Sequence, residues 1–105
     1  MKYILGWMTI APGQRARFLS EAEDFIAKTR AEAGCAFFEL NPSREDPNLA
    51  ILMEGFADAA AHDLHSKTDH QEWMRGHMKR YMRHGRFEVV YSDNVVRDTV
   101  DNRTA

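Results

Sequence analysis

Apolar and polar positions change period along this chain, and each change marks an element. Lys2 to Ile10 is rich in β-branched, aromatic and long apolar residues and reads as a strand. Ala11-Pro12-Gly13 then makes a turn, because Pro12 cannot continue a strand ladder. From Gln14 to Ala33 the period lengthens. Phe18, Ala22, Phe25, Ile26, Thr29 and Ala33 recur at helical spacing, with Arg15, Glu21, Asp24 and Lys28 outside. Gly34 stands where a helix C-cap glycine belongs. Cys35 to Leu40 is a second strand and Leu49 to Phe56 a third. The polar, proline-framed loop between them predicts an antiparallel hairpin. Asp58 caps a short helix reaching about Ser66. Thr68 and Gln71 have capping-box spacing for a further helix to about Arg83, which Gly85 ends. Phe87 to Ser92 is the fourth strand. The order β-α-β-β-α-β predicts an α+β, ferredoxin-like plait over residues 1–93. A polar tail, residues 94–105, is frayed or packed on a partner subunit.

The strands carry more apolar surface than a lone plait can hide. Tyr3, Leu5 and Trp7 alternate with Ile4, Met8 and Ile10. Cys35 and Phe37 oppose Ala36, Phe38 and Leu40, and Ile51 and Met53 oppose Ala50, Leu52 and Phe56. The helices of a plait cover one sheet face only, and a sheet apolar on both is normally covered on both. A homodimer joined sheet to sheet is the economical expectation.

Composition narrows the class. The 105 residues are 44% hydrophobic and 29% charged, an ordinary balance for one globular domain. A net charge of -2 argues against a general nucleic-acid or acidic-membrane binder. No run is long enough to span a bilayer, and Met1 to Ile10 reads as a strand, not a signal peptide. A single cysteine, Cys35, permits no intrachain disulfide and suits a cytoplasmic setting.

Chemistry concentrates where the two later helices meet. His65 closes the short helix and His70 opens the next, with Trp73 one turn on. The helix dipole disfavours an imidazolium at His70, while adjacent Asp69 pulls the other way. Trp73, Met74, His77, Met78, Tyr81 and Met82 form a stripe that serves as core or as the wall of an apolar pocket. Buried, His77 needs a polar partner, and so does Glu54, which lies between Leu52 and Phe56 on one strand face. His62, His65, Asp69, His70 and His77 offer only a weak metal spacing, and no metal is expected. Cys35 has no base paired with it in sequence. No dinucleotide or flavin fingerprint appears, so no cofactor is expected.

These pieces resemble the antibiotic-biosynthesis monooxygenase superfamily from about Tyr3 to Asp93. The resemblance rests on Pro12-Gly13, on Thr29-Arg30-Ala31-Glu32-Ala33-Gly34-Cys35, on Phe38-Glu39-Leu40, on Asp46-Pro47, on Glu54-Gly55-Phe56, and on His65 with His70. It implies a dimeric α/β barrel and a ligand-facing His65. Members include cofactor-free quinol monooxygenases, polyketide-tailoring oxygenases, haem-degrading enzymes and a sugar-phosphate isomerase. The haem-degrading pattern is broken here by Gly6 and His65, and His77 matches it only loosely.

The leading expectation is a cofactor-independent monooxygenase acting on a small aromatic phenol or quinol. His65 and His70 would be catalytic, and Trp73, Met74, His77, Glu54 and Phe38 would bind substrate. A rival expectation is an isomerase of a small carbonyl or sugar-phosphate compound, with Lys67 and Arg75 as cationic anchors. A third is a non-catalytic dimeric domain that binds a metabolite. His65 is further expected to be partly exposed, so that His65→Ala barely alters stability.

Overall fold

The computed structural model describes residues 1–103. Its elements are β1 (Lys2–Ile10), α1 (Arg15–Glu21), α2 (Glu23–Arg30), β2 (Cys35–Pro42), β3 (Leu49–Phe56), α3 (Ala59–Ser66), α4 (Asp69–Tyr81) and β4 (Met82–Tyr91). The four strands form one antiparallel sheet in the order β2-β3-β1-β4, a ferredoxin-like arrangement. The expected hairpin of β2 and β3 is present, and Pro42 is tolerated because β2 is an edge strand.

One sheet face packs on the helices. Ile4, Met8, Ile10, Phe38, Leu40, Ala50, Leu52 and Phe56 meet Phe18, Ala22, Phe25, Met74 and Tyr81 there in one core. The other face carries Tyr3, Leu5, Trp7, Phe37, Ile51, Met53 and Val90, all partly or largely exposed. This division follows the expected strand alternation except at the start of β2, where an irregularity between Cys35 and Phe37 turns Cys35 toward the core and leaves Ala36 exposed, the reverse of the expected faces.

Boundaries differ from expectation at the first helix, at β2, which runs on to Pro42, and where α4 gives way to β4 at Met82. The first helix breaks at Ala22, whose N–H bonds back three residues to Leu19 O at 3.2 Å, and it ends at Arg30 rather than Ala33. Gly34 is therefore no helix cap and has no positive φ. Its role is close approach: a Cβ there would fall 2.3 Å from that of Ala61, so glycine lets the turn after α2 rest on α3. Gly85 does not end a helix either. Met82 already adopts extended backbone, α4 runs straight into β4, and Gly85 pairs with Met8. Residues 92–103 form neither helix nor strand, and Val96 and Val100 are exposed. The last two tail residues, 104 and 105, lie outside the described residues. Among the described residues no helix is long and apolar enough to cross a membrane.

Candidate active site

The two histidines are placed by local capping. Asp58 Oδ1 accepts the Ala61 N–H at 2.8 Å and starts α3, which carries His65 in its last turn. Thr68 starts α4: its Oγ1 accepts the Gln71 N–H at 3.2 Å and donates to His65 O at 2.8 Å. That hydroxyl therefore fixes the end of one helix to the start of the next, and the break between them is only Lys67 and Thr68.

His65 and His70 converge on one atom. Glu32, in the turn between α2 and β2, presents Oε2 at 2.8 Å from His65 Nδ1 and 2.7 Å from His70 Nε2. On the far side of the ring, His65 Nε2 lies 3.8 Å from Glu54 Oε1 on β3, beyond hydrogen-bond reach. His65 is only 2% exposed, so the expectation of a partly exposed side chain is wrong. Packing against Phe56, with ring centroids 5.1 Å apart, and the fold of the Glu32 turn over it account for this. Burial pushes the Glu54 carboxyl up to about 7, helped by the charge of Glu32 and opposed by that of Lys2.

Glu54 looks into an apolar cavity of about 240 Å³ between the sheet, α2 and α4. Met8, Phe25, Phe38, Leu52, Gln71, Met74, Met78 and Phe87 form the rest of its wall. Of the expected substrate-binding residues, Glu54, Phe38 and Met74 thus share one cavity. Trp73 and His77 do not line it. His77 donates from Nε2 to Phe18 O at 2.9 Å and stacks between Phe18 and Trp73, with centroids 4.8 and 4.6 Å away. Trp73 is 46% exposed and lines a surface groove of about 210 Å³ with Asp24, Lys28, Asp69 and His70. Phe25 separates groove from cavity, its ring 5.9 Å from His70 and 5.5 Å from Phe38. Lys67 and Arg75 are occupied on the surface, Lys67 with Asp63 at 2.9 Å and Arg75 with Glu72 at 2.7 Å. A wider, shallow depression of about 710 Å³ between α1 and the β2–β3 loop includes Arg15 and Glu23 but no histidine.

Sequence reasoning missed the role of Glu32. The available signal was a demand: two neighbouring histidines turned inward need an acceptor, and Glu32 precedes Gly34-Cys35 at a turn. Glu32, His65 and His70 have ligand atoms within 4.8 Å of one another, close enough to share a cation. Yet both nitrogens stand at hydrogen-bond distance from one oxygen, whereas ligands around a tetrahedral zinc at 2.0–2.1 Å lie roughly 3.3 Å apart. Among the described residues, every side-chain nitrogen or oxygen shut off from solvent already has a hydrogen-bond partner. Glu32 Oε2, His65 Nδ1 and His70 Nε2 thus form a closed hydrogen-bond network, and His65 Nε2 stands outside it. Cys35 is free, and burial with the charges of Glu32 and Glu54 pushes its thiol pKa up, away from the nucleophilic thiolate.

The site lies within the part of the chain that known proteins share. The family model for antibiotic biosynthesis monooxygenase matches residues 1–76, which hold Glu32, Glu54, His65 and His70. A Bacillus subtilis protein named "Putative monooxygenase YcnE" is 31% identical over 70 residues, 67% of this chain and 74% of the relative. The crystal structure of PA3566 from Pseudomonas aeruginosa is 28% identical with a TM-score of 0.75, covering 87% of this chain and 92% of that one. SO0527 from Shewanella oneidensis is also 28% identical, with a TM-score of 0.77 over 85% and 87% of the two chains. Strand order, helix placement and sequence therefore agree, and this chain belongs to the antibiotic biosynthesis monooxygenase family.

Proposed function

We propose that the protein is a monooxygenase that needs no cofactor and acts on a small, electron-rich phenol or quinol bound in the cavity beside Glu54. One observation carries this. An apolar cavity with room for one or two aromatic rings has, as its single titratable lining residue, a carboxyl poised near neutrality. Such a group takes a phenolic proton at physiological pH. The anion is electron-rich enough to react with oxygen itself. For a quinol, quinol and O₂ give hydroxyquinone and water: one oxygen atom enters the ring, the other leaves as water, and the substrate supplies all four electrons. Glu54 is the base, and His65 behind it is the next proton acceptor. His70 supports the arrangement through Glu32, and Phe38, Met74 and Met78 hold the ring and exclude water. The cavity offers no cationic side chain to a phosphorylated substrate, which favours the aromatic reading over the isomerase.

Oxygen uptake with a panel of mono- and bicyclic quinols, with and without chelator, tests the reading. Uptake unaffected by chelator, with one ¹⁸O atom from labelled O₂ in the product, is the expected result. Proton exchange without oxygen uptake would replace it by the isomerase.

We further propose that the protein works as a homodimer joined through the helix-free face. Tyr3, Leu5, Phe37, Ile51, Met53 and Val90 make a continuous apolar surface there, with Met53 and Val90 each 44% exposed. Monomeric proteins rarely leave so large a patch open. The lone free cysteine suits a cytoplasmic enzyme. Light scattering at micromolar concentration should give twice the 12.1 kDa chain mass. A stable monomer would sink the assembly without touching the chemistry.

A further inference from the structure

We propose that Glu32 is a positioning residue for this reaction: it fixes His65 as the tautomer with the proton on Nδ1, so that a bare Nε2 faces Glu54. The inference rests on the reading of Glu54 as the base. It starts from hydrogen-bond polarity. A carboxylate oxygen only accepts, so both ring nitrogens that meet Glu32 Oε2 must donate. A neutral imidazole has one N–H, and giving it from Nδ1 leaves Nε2 as a lone pair. That lone pair is the atom 3.8 Å from Glu54 Oε1. The opposite tautomer would set a lone pair against the Glu32 oxygen.

His70 has a matching task. Its N–H is the second donor to the same oxygen, and it holds that oxygen against rotation out of the site. Parts of three elements are thereby locked together: the turn after α2, the end of α3 and the first turn of α4. The acid–imidazole–acid order then works in one direction. The substrate proton passes to a Glu54 oxygen, and from there to His65 Nε2 once a small rotation of the Glu54 side chain closes the 3.8 Å gap. The resulting imidazolium faces Glu32, which stabilises it. Other titratable neighbours are His62 on α3, its ring 5.9 Å from that of His65, Cys35 on β2 and Lys2 on β1. None of them stands at hydrogen-bond distance from the His65 ring, among the described residues.

The test reads Glu32→Leu by its tautomer and Glu32→Gln by its turnover. Nitrogen-15 spectra of the wild-type protein at neutral pH should show His65 protonated on Nδ1 and His70 on Nε2, and in Glu32→Leu, which keeps no acceptor there, the His65 preference should be lost. In quinol turnover, kcat of Glu32→Gln should fall roughly a hundredfold, with KM changed less than about threefold. The acid limb of the pH profile should move to lower pH, because the charge that helps to hold the Glu54 proton is gone. A merely structural role would leave the His65 tautomer as it is in the wild type. Wild-type His65 protonated on Nε2 overturns the proposal, and so does a Glu32→Leu protein with unchanged tautomer or a Glu32→Gln protein with unchanged kcat. Should neither variant fold, the wild-type tautomer decides alone. Should wild-type protein turn over no quinol, the oxygenase reading falls, while the two sets of spectra still decide for or against Glu32.

Discussion

His65 and His77 are both buried imidazoles, 2% and 7% exposed, both near α4 and both packed on aromatic rings. Their partners differ. His77 gives its proton to a main-chain carbonyl, Phe18 O, and is otherwise enclosed by Phe18, Trp73 and Tyr81. A carbonyl takes no proton at any ordinary pH, so that bond ties α4 to α1 and does nothing else. His65 stands between two carboxyls, Glu32 at 2.8 Å and Glu54 at 3.8 Å, the second at the wall of a cavity. Burial and residue type are shared by the two sites, and the acidity of what surrounds the ring distinguishes them.

The largest expected effect separates the regions by rate. Glu54→Gln keeps shape and removes the base, so quinol turnover should drop roughly a thousandfold, while His77→Ala should leave kcat of the folded protein within about twofold. Steady-state oxygen uptake on both variants checks this. Equal losses would erase the distinction.

The second effect is a pH dependence of stability. Folded Glu54 holds its proton to about pH 7, against an ordinary value of 4.5 in the unfolded chain. Between those values the folded state binds more protons, so this group's contribution to stability is full below about pH 4.5 and is lost as pH rises through 7. The loss amounts to roughly 3 kcal/mol by the shift of the carboxyl. Urea unfolding of wild type from pH 5 to 8 should show the decline, and Glu54→Gln should flatten it. His77→Ala should retain the wild-type slope.

A smaller effect tests the shared property. His65→Ala and His77→Ala each remove a buried ring and leave a polar atom without its donor, so each should cost about 2–3 kcal/mol. Chemical denaturation would show it. A His65→Ala protein as stable as wild type would restore the expectation of an exposed side chain. The smallest effect belongs to Trp73, which is 46% exposed: Trp73→Ala should cost about 1 kcal/mol or less and alter quinol KM little. A large rise in KM would move the binding site from the cavity to the groove.

Much of this molecule was legible in its sequence because the information is local. Strand alternation alone put Ile4, Met8 and Ile10 on one face of the sheet and Tyr3, Leu5 and Trp7 on the other, and the packed helices then made the first face the core. A side chain's face follows from its parity in the strand, whatever it packs against. Capping by Asp58 and Thr68 is equally local, and it placed His65 and His70 at one corner. Gly34 and Gly85 were misread because neighbours distant in sequence decide them: Ala61 for one, Met8 across the sheet for the other. The same holds at the site. Glu32, His65 and His70 meet across separations of 33 and 38 residues, and Glu54 joins them from a strand. The sequence by itself determined which groups were available and which way each strand turned them. Only the tertiary structure decided which carboxylate the two imidazoles share, which stripe residues leave the cavity, and which carboxyl burial holds near neutrality. Hydrogen bonding and desolvation depend on what surrounds an atom in space, and residue spacing does not specify that.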